Sequence, residues 1–333
     1  MSFRIGINGF GRIGRLLARH IAGSQGHLVL AHLNDPALSP AQAAHLISFD
    51  SVHGRWPHDA RVQGEALRLG RHLATFSAER DPARVPWGER VDLVIDCTGR
   101  IKDRAGADAF LAAGAPRLLV SQPVEDIPNI VMGINDRLHD LHHARAVSAA
   151  SCTTNCLAPV ASVIDAALGI RHGFITTVHA MTNDQALLDQ GHGDWRRGRS
   201  AGESLIPTSS GFAHAIGRVL PELSGRLDGF AVRAPVSNAS LIDCSFLVDR
   251  HTTAAAVNLA LEMAAEGTLN GILAVESRPL VSADYLDDPH SATVDAALTQ
   301  VQGGQLVKVV AWYDNETGYS RRLADVAARM AKP

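Results

Sequence analysis

Short apolar runs alternate with amphipathic ones along the first third of the chain. FRIGING, HLVLAHLND, VDLVIDCTG and RLLVSQP read as strands, and RIGRLLARHIAG and ADAFLAAGA between them read as helices. That rhythm of strand and crossover helix predicts a parallel sheet covered on both faces. From about residue 170 the rhythm changes. HGFITTVHAM, DGFAVRAP, ASLIDCSFLVDR and QLVKVVAWYD are strand-like with longer gaps, predicting a mixed, largely antiparallel sheet, and TAAAVNLALEMAAEG is a helix on one face of it. The expected class is α/β for a first domain over 1–150 and α+β for a second that begins at 151. A chain of 333 residues is long for one core and comfortable for two.

Composition narrows the function classes. With 46 % hydrophobic residues, 20 % charged residues and a net charge of -3, the chain reads as an ordinary globular protein and not as a strongly basic nucleic-acid binder. Any basic site is therefore local. Lysine occurs only at Lys102, Lys308 and Lys332, so anion recognition falls to arginine, whose planar guanidinium suits phosphate. The N-terminal MSFRIGING has no basic stretch leading into an apolar one, and no window reaches the ~18 uninterrupted apolar residues of a membrane span. The expected setting is cytoplasmic, with no membrane and no nucleic-acid partner. Four cysteines, Cys97, Cys152, Cys156 and Cys244, make no disulfide framework in so long a chain.

Gly9 to Gly14 reads GFGRIG, between the strand-like RIGIN and the helix-like RIGRLLARH, and Asp35 ends the next strand 21 residues after Gly14. Each part has a physical task in a Rossmann dinucleotide cradle. Gly9 allows the tight turn, Gly11 lets the backbone approach a pyrophosphate, and Gly14 lets helix and strand pack closely. The helix N-terminus supplies NH groups and the positive end of its dipole. Asp35 would accept hydrogen bonds from the adenosine ribose and repel a 2'-phosphate, which favours NAD over NADP.

SAASCTTNCLAPV, residues 148 to 160, is the second conspicuous stretch. A helix starting near Cys152 would put that thiol at the positive end of the dipole, which predicts a lowered thiol pKa and a nucleophile. Cys156, four residues on, faces the same way one turn deeper and reads as a buried structural cysteine. A metal site would want further ligands at ligand spacing, and His139, His142 and His143 in RLHDLHHAR read as a solvated turn, so no metal is expected. A redox pair would more usually have two intervening residues. His179, at the end of GFITTVHAM, is either a core histidine or the base for Cys152. The glycine-bearing, arginine-rich segment from Asp184 to Leu205 reads as a long functional loop. A nicotinamide cofactor with an activated thiol suggests addition to an aldehyde, hydride loss and a thioester.

INGFGRIGR, ERDPARVPWGE, SCTTNCLAPV, TTVHAMTNDQ, DWRRGR, IPTSSG, PLVSADY and WYDNETGYS together resemble the signature segments of phosphorylating glyceraldehyde-3-phosphate dehydrogenases, from Ile5 to Tyr319. The resemblance implies a homotetramer of Rossmann (1–150) plus catalytic (151–316) domains, with a C-terminal helix over 317–333 returning to the first. It makes Cys152 the nucleophile and His179 its base. It implies that Thr182 and Arg233 hold substrate phosphate, and that inorganic phosphate meets Ser151, Ser210 and Gly211, with Thr153, Asp184 and Arg197 also at the anion sites. Gly9, Phe10, Gly11, Arg12, Ile13, Asp35, Arg80, Thr98 and Ser121 match cofactor contacts, Asn315 the residue that fixes the nicotinamide carboxamide, and Tyr319 the aromatic beside it.

Several positions depart from that pattern. Thr317 replaces the usual aromatic between Glu316 and Gly318, His214 replaces a lysine, and the loop GHGDWRRGR has no lysine before Asp194. Gln190 and Gly191 stand where NAD-selective members generally carry an apolar residue and a proline. HLISFDSVHGRW, NIVMGIND, SLIPTSSG, AVRAPVSNASLIDCSF and GILAVESRPLVSADY resemble the branch associated with arsenate resistance, in which arsenate replaces phosphate and the arseno-ester is exported by a partner transporter. Two alternatives stand beside the leading one: an erythrose-4-phosphate dehydrogenase, which favours thioester hydrolysis, and a non-catalytic binding protein on the same scaffold. Intact HAMTNDQ argues against the first, and retention of Cys152 with His179 against the second.

Overall fold

The computed structural model describes residues 2–331; residue 1 of the expected first domain and residues 332 and 333 of the expected terminal helix lie outside the described residues. The chain divides into two compact units, one built from the described residues of 1–132, 136–151 and 320–333, the other from 133–135 and 152–319.

The sheet of the first unit carries six parallel strands in the order Ala146–Ser148, Leu118–Val120, Leu93–Asp96, Phe3–Asn8, Leu28–Asn34 and His72–Ser77. Leu93–Asp96 and Leu118–Val120 are buried throughout, the pattern of strands covered on both faces. Beyond these six, Ala66–Leu69 and Ala60–Gln63 extend the sheet as antiparallel neighbours, which the alternating rhythm did not predict. Gly64 and Gly70 explain them. At φ +62° and +56° they occupy the left-handed region open to glycine and close two-residue turns that only antiparallel strands can use. On one face of the sheet Trp87 and Phe110 anchor a cluster with Val85, Val91, Val94 and Leu118.

In the second unit the strand order is Ile206–Thr208, Leu227–Arg233, Ile170–His179, Ser240–Val248, Leu306–Tyr313, Ala292–Asp295 and Leu273–Glu276, with Gln300–Gln302 also paired to Leu306–Tyr313. The sheet is mixed. Ile170–His179 runs parallel to Leu227–Arg233 and antiparallel to Ser240–Val248. Register puts His179 directly opposite Arg233, so both emerge at one end of the sheet. Burial alternates along Ser240–Val248, with Ser240, Ile242, Cys244, Phe246 and Val248 turned inward. The helix Cys152–Leu168 supplies Leu157, Val160 and Ile164 to this core, each worth about 1.5–3 kcal/mol on burial. A second helix, Ala254–Glu266, is capped by Thr253, whose hydroxyl accepts the Ala256 N–H at 3.2 Å. Residues 184–205 contain neither helix nor strand.

Candidate active site

The strand Phe3–Asn8 leads through GFG into the helix Arg12–Gly23, whose N-cap is Gly11. Gly9 sits at φ +90°, and a side chain on Gly14 would strike the Gly9 carbonyl oxygen at 2.1 Å, so neither position admits a side chain without distortion. A Cβ on Gly11 would point into open space, and no side chain caps the helix. The helix start at Gly11 is thus open on the side from which an anion would approach, which is the fit a pyrophosphate requires. Asp35 braces the loop: its carboxylate accepts the Phe10 N–H and the Ala37 N–H, both at 2.8 Å, and keeps lone pairs for ribose hydroxyls. The Phe10 side chain is fully buried, so any part it takes in binding falls to its backbone. Arg12 is ion-paired with Asp50, a residue the sequence reading did not single out. Thr98 donates to the buried carboxylate of Asp96, Ser121 N–H to the Asp96 carbonyl, Ile13 is half-buried, and Arg80 is exposed.

In the second unit the helix begins at Cys152, and its sulfur lies 3.5 Å from His179 Nε2. Placement at the helix start predicts a lowered thiol. The structure reverses that expectation: burial pushes the Cys152 thiol up, and it outweighs the Arg233 guanidinium and the hydroxyl and N–H of Thr153, which pull the other way. Burial, reinforced by Arg233, likewise pushes His179 down to about 3, so the imidazole is neutral at pH 7. A neutral imidazole against a protonated thiol is a base beside its proton. His179 Nδ1 lies 2.8 Å from the Ala180 carbonyl and 2.5 Å from Arg233 Nη1. A carbonyl only accepts and a guanidinium only donates, so the two contacts demand opposite tautomers. The base-competent one carries its proton on Nδ1, given to Ala180, and turns the Nε2 lone pair to sulfur. Arg233 then has the Ala180 oxygen, 3.3 Å away, as its own acceptor.

Arg233 Nε is buried with no hydrogen-bond partner, a charge awaiting an anion. Arg197 is differently placed. Its guanidinium is engaged by Asp184 at 2.6 Å, the Thr208 hydroxyl at 2.9 Å and the Ser209 carbonyl at 3.3 Å, so it shapes the segment leading to Ser210 and Gly211. Gly211 is the uncapped N-cap of Phe212–Val219, and its Cβ direction is open. Ser151 is half-buried just ahead of the helix. Thr182 is tied to Gln185 through its own N–H at 3.1 Å. Thr153 is buried with its hydroxyl 3.1 Å from Tyr313, which also meets Thr177 at 2.9 Å. Asn315 and Tyr319 are buried, and the Ser240 hydroxyl lies 2.9 Å from Asn315 Oδ1. Thr177 and Ser240 were missed from sequence, yet both are polar residues on the inward face of an alternating strand, and that is the available signal.

Cys156 is fully buried one turn beyond Cys152, and burial holds its thiol well above the ordinary value. Cys156→Ser is expected to retain most of the turnover while lowering stability by about 1–3 kcal/mol, the cost of a hydroxyl in an apolar site. Urea unfolding and an initial-rate assay check this; a loss of activity as complete as that from changing Cys152 would give Cys156 a chemical role.

Two family models match the chain: "Glyceraldehyde 3-phosphate dehydrogenase, NAD binding domain" over residues 3–104 and "Glyceraldehyde 3-phosphate dehydrogenase, C-terminal domain" over residues 151–315. Similar proteins include glyceraldehyde-3-phosphate dehydrogenase 3 of Nostoc sp., 47 % identical over 334 residues, covering 99 % of both chains. Glyceraldehyde-3-phosphate dehydrogenase 1 of Bacillus subtilis is 47 % identical over 336 residues, 100 % of this chain and 99 % of its own. The glyceraldehyde-3-phosphate dehydrogenase of Geobacillus stearothermophilus is 48 % identical over 335 residues, 99 % of each.

Proposed function

This chain belongs to the glyceraldehyde-3-phosphate dehydrogenase family, and we infer from that premise that it catalyses the NAD-dependent oxidation of D-glyceraldehyde 3-phosphate, with Cys152 as nucleophile and His179 as base. The observation that carries the assignment of roles is the 3.5 Å approach of a neutral, buried His179 Nε2 to the Cys152 sulfur at the start of a helix.

His179 takes the thiol proton as sulfur adds to the aldehyde carbon. The resulting oxyanion meets the returning proton on Nε2 and the backbone N–H of Cys152, giving a neutral thiohemiacetal. When bound, NAD supplies the acceptor for the hydride on that carbon. His179 removes the hydroxyl proton as the thioester forms, and gives it back to sulfur when an anion oxygen displaces the thiol. Arg233, with its unpartnered Nε, and Thr182 hold the substrate phosphate, with Asp184 fixing Arg197 nearby. Ser151, Thr153, Ser210 and Gly211 form the acceptor-anion site, where the uncapped helix start at Gly211 contributes N–H groups. With phosphate as acceptor the product is 1,3-bisphosphoglycerate.

Gly9, Gly11, Arg12, Ile13 and Asp35 hold the adenosine and pyrophosphate, with Phe10 acting through its backbone and Arg80, Thr98 and Ser121 lining the rest. Asn315 and Tyr319 take the nicotinamide. The homotetramer follows from the family resemblance alone; large apolar side chains that the second unit leaves in water, Phe174, Leu187, Leu188, Trp195 and Phe230, support self-association in general. None of the described helices is long and apolar enough to cross a membrane.

Arsenate has nearly the shape and charge of phosphate, so the same acceptor site would take it, and the segments that resemble the arsenate-resistance branch favour testing it. Purified enzyme with glyceraldehyde 3-phosphate and NAD is expected to form NADH at least tenfold faster with phosphate or arsenate than with neither. Phosphate giving a stable acyl phosphate, and arsenate giving turnover until aldehyde or NAD is exhausted, would support acyl transfer to an anion. If neither anion raises the rate, acyl transfer to an anion is wrong and thioester hydrolysis takes its place.

A further inference from the structure

Ala239 is a buried non-glycine residue at φ +65°. An L residue adopts that conformation only where its surroundings hold it there, and such positions gather at functional sites. Its effect is to present Ser240 at the head of the strand Ser240–Val248, between two neighbouring strand ends. On one side Ile170–His179 leads into Ala180; on the other Leu306–Tyr313 leads into Asn315.

The hydroxyl of Ser240 is 1 % exposed as a residue and makes one bond to each side. Ala180 N–H lies 3.0 Å from Ser240 Oγ, and Ser240 Oγ lies 2.9 Å from Asn315 Oδ1. The direction of these bonds is set by chemistry. A backbone N–H can only donate, so Ser240 accepts from Ala180. The hydroxyl proton then needs an acceptor in a site without solvent, and Asn315 Oδ1 is within reach. Asn315 is therefore locked with its oxygen inward and its Nδ2 as the end offered to a ligand. The same Ala180 is the residue whose carbonyl receives His179 Nδ1.

We propose that Ser240 is a positioning and specificity-determining residue: it fixes the amide orientation of Asn315 so that the cofactor carboxamide is read through its carbonyl oxygen, and it ties that reading to the segment carrying the catalytic base. The proposal rests on the assignment of Asn315 to the nicotinamide. It predicts that the ligand's amide NH2 is dispensable for this contact and its carbonyl is not.

The probe is 3-acetylpyridine adenine dinucleotide, which keeps the carbonyl and replaces NH2 by a methyl group. Calorimetric Kd values are measured without aldehyde, so no turnover is needed. The wild-type protein is expected to bind NAD and the analogue within about threefold of each other. In Ser240→Ala the amide is free to turn. NAD can be met in either orientation and keeps its affinity, whereas the analogue is met only by the fraction of amides still offering Nδ2 and loses about twofold or more. Ser240→Thr, which keeps the hydroxyl, restores the wild-type ratio. A role limited to stability would move the melting temperature and leave the ratio of the two Kd values unchanged, and that result overturns the proposal. So does a wild-type protein that rejects the analogue tenfold or more, a result that depends on no variant folding. Asn315→Ala separates the premise from the inference: if it leaves both Kd values unchanged, the nicotinamide assignment fails and the proposal falls with it.

Discussion

Cys152→Ser is expected to cut NADH formation by about 10⁴-fold or more while the protein keeps its circular-dichroism spectrum, its melting temperature and its affinity for NAD. Sulfur and oxygen occupy nearly the same place at the head of the helix Cys152–Leu168, so packing changes little. The chemistry changes greatly. A serine hydroxyl is far harder to ionise than a thiol, and the burial that already pushes the Cys152 thiol up would oppose an alkoxide more strongly. An alkoxide is also a poorer leaving group toward the acceptor anion. Residual turnover above about one hundredth of wild type, with alkylation of another cysteine abolishing it, would move the nucleophile elsewhere.

His179→Asn is expected to lower kcat/KM by about 10²–10⁴-fold, the usual worth of a positioned general base. The more decisive sign is the pH profile. His179 is pushed down to about 3, so in the wild type it stands ready as a neutral acceptor throughout the neutral range, and the profile there is shallow. Without it, the thiol must lose its proton to solvent. Because burial raises Cys152, the thiolate fraction at pH 7 is small and grows about tenfold per pH unit below the thiol's own pKa. Activity of the variant should therefore climb steeply from pH 6 to 9, as should carboxamidomethylation of Cys152 by iodoacetamide. Parallel profiles for the two proteins would remove His179 from the proton path.

Arg233 enters both arguments with opposite effects. It lowers the thiol and also opposes protonation of His179, so it favours thiolate formation while discouraging an isolated imidazolium. The balance holds because the imidazolium arises only together with the thiolate 3.5 Å away.

What could be read from the chain was whatever a dozen consecutive residues decide. GFGRIG between a strand and a helix dictates a turn, a close approach and an open helix start, and the structure has Gly9, Gly11 and Gly14 in those conformations. CTTNCLAPVASVIDAAL forms the helix its pattern predicts, with Cys152 first, and alternation along Ser240–Val248 marks its inward face. Backbone conformation and facing are local properties, set by sterics and by the period of apolar positions. What tertiary structure alone decided depends on residues far apart in the chain. His179 meets Cys152 across 27 residues and Arg233 across 54, through strand pairing that no short segment contains. Asn315 acquires its orientation from Ser240, 75 residues away. The acidity of Cys152 is likewise set by residues far apart in the chain. The helix start that favours a thiolate is local, but desolvation sums over every group packed around the sulfur, and here that sum is the larger.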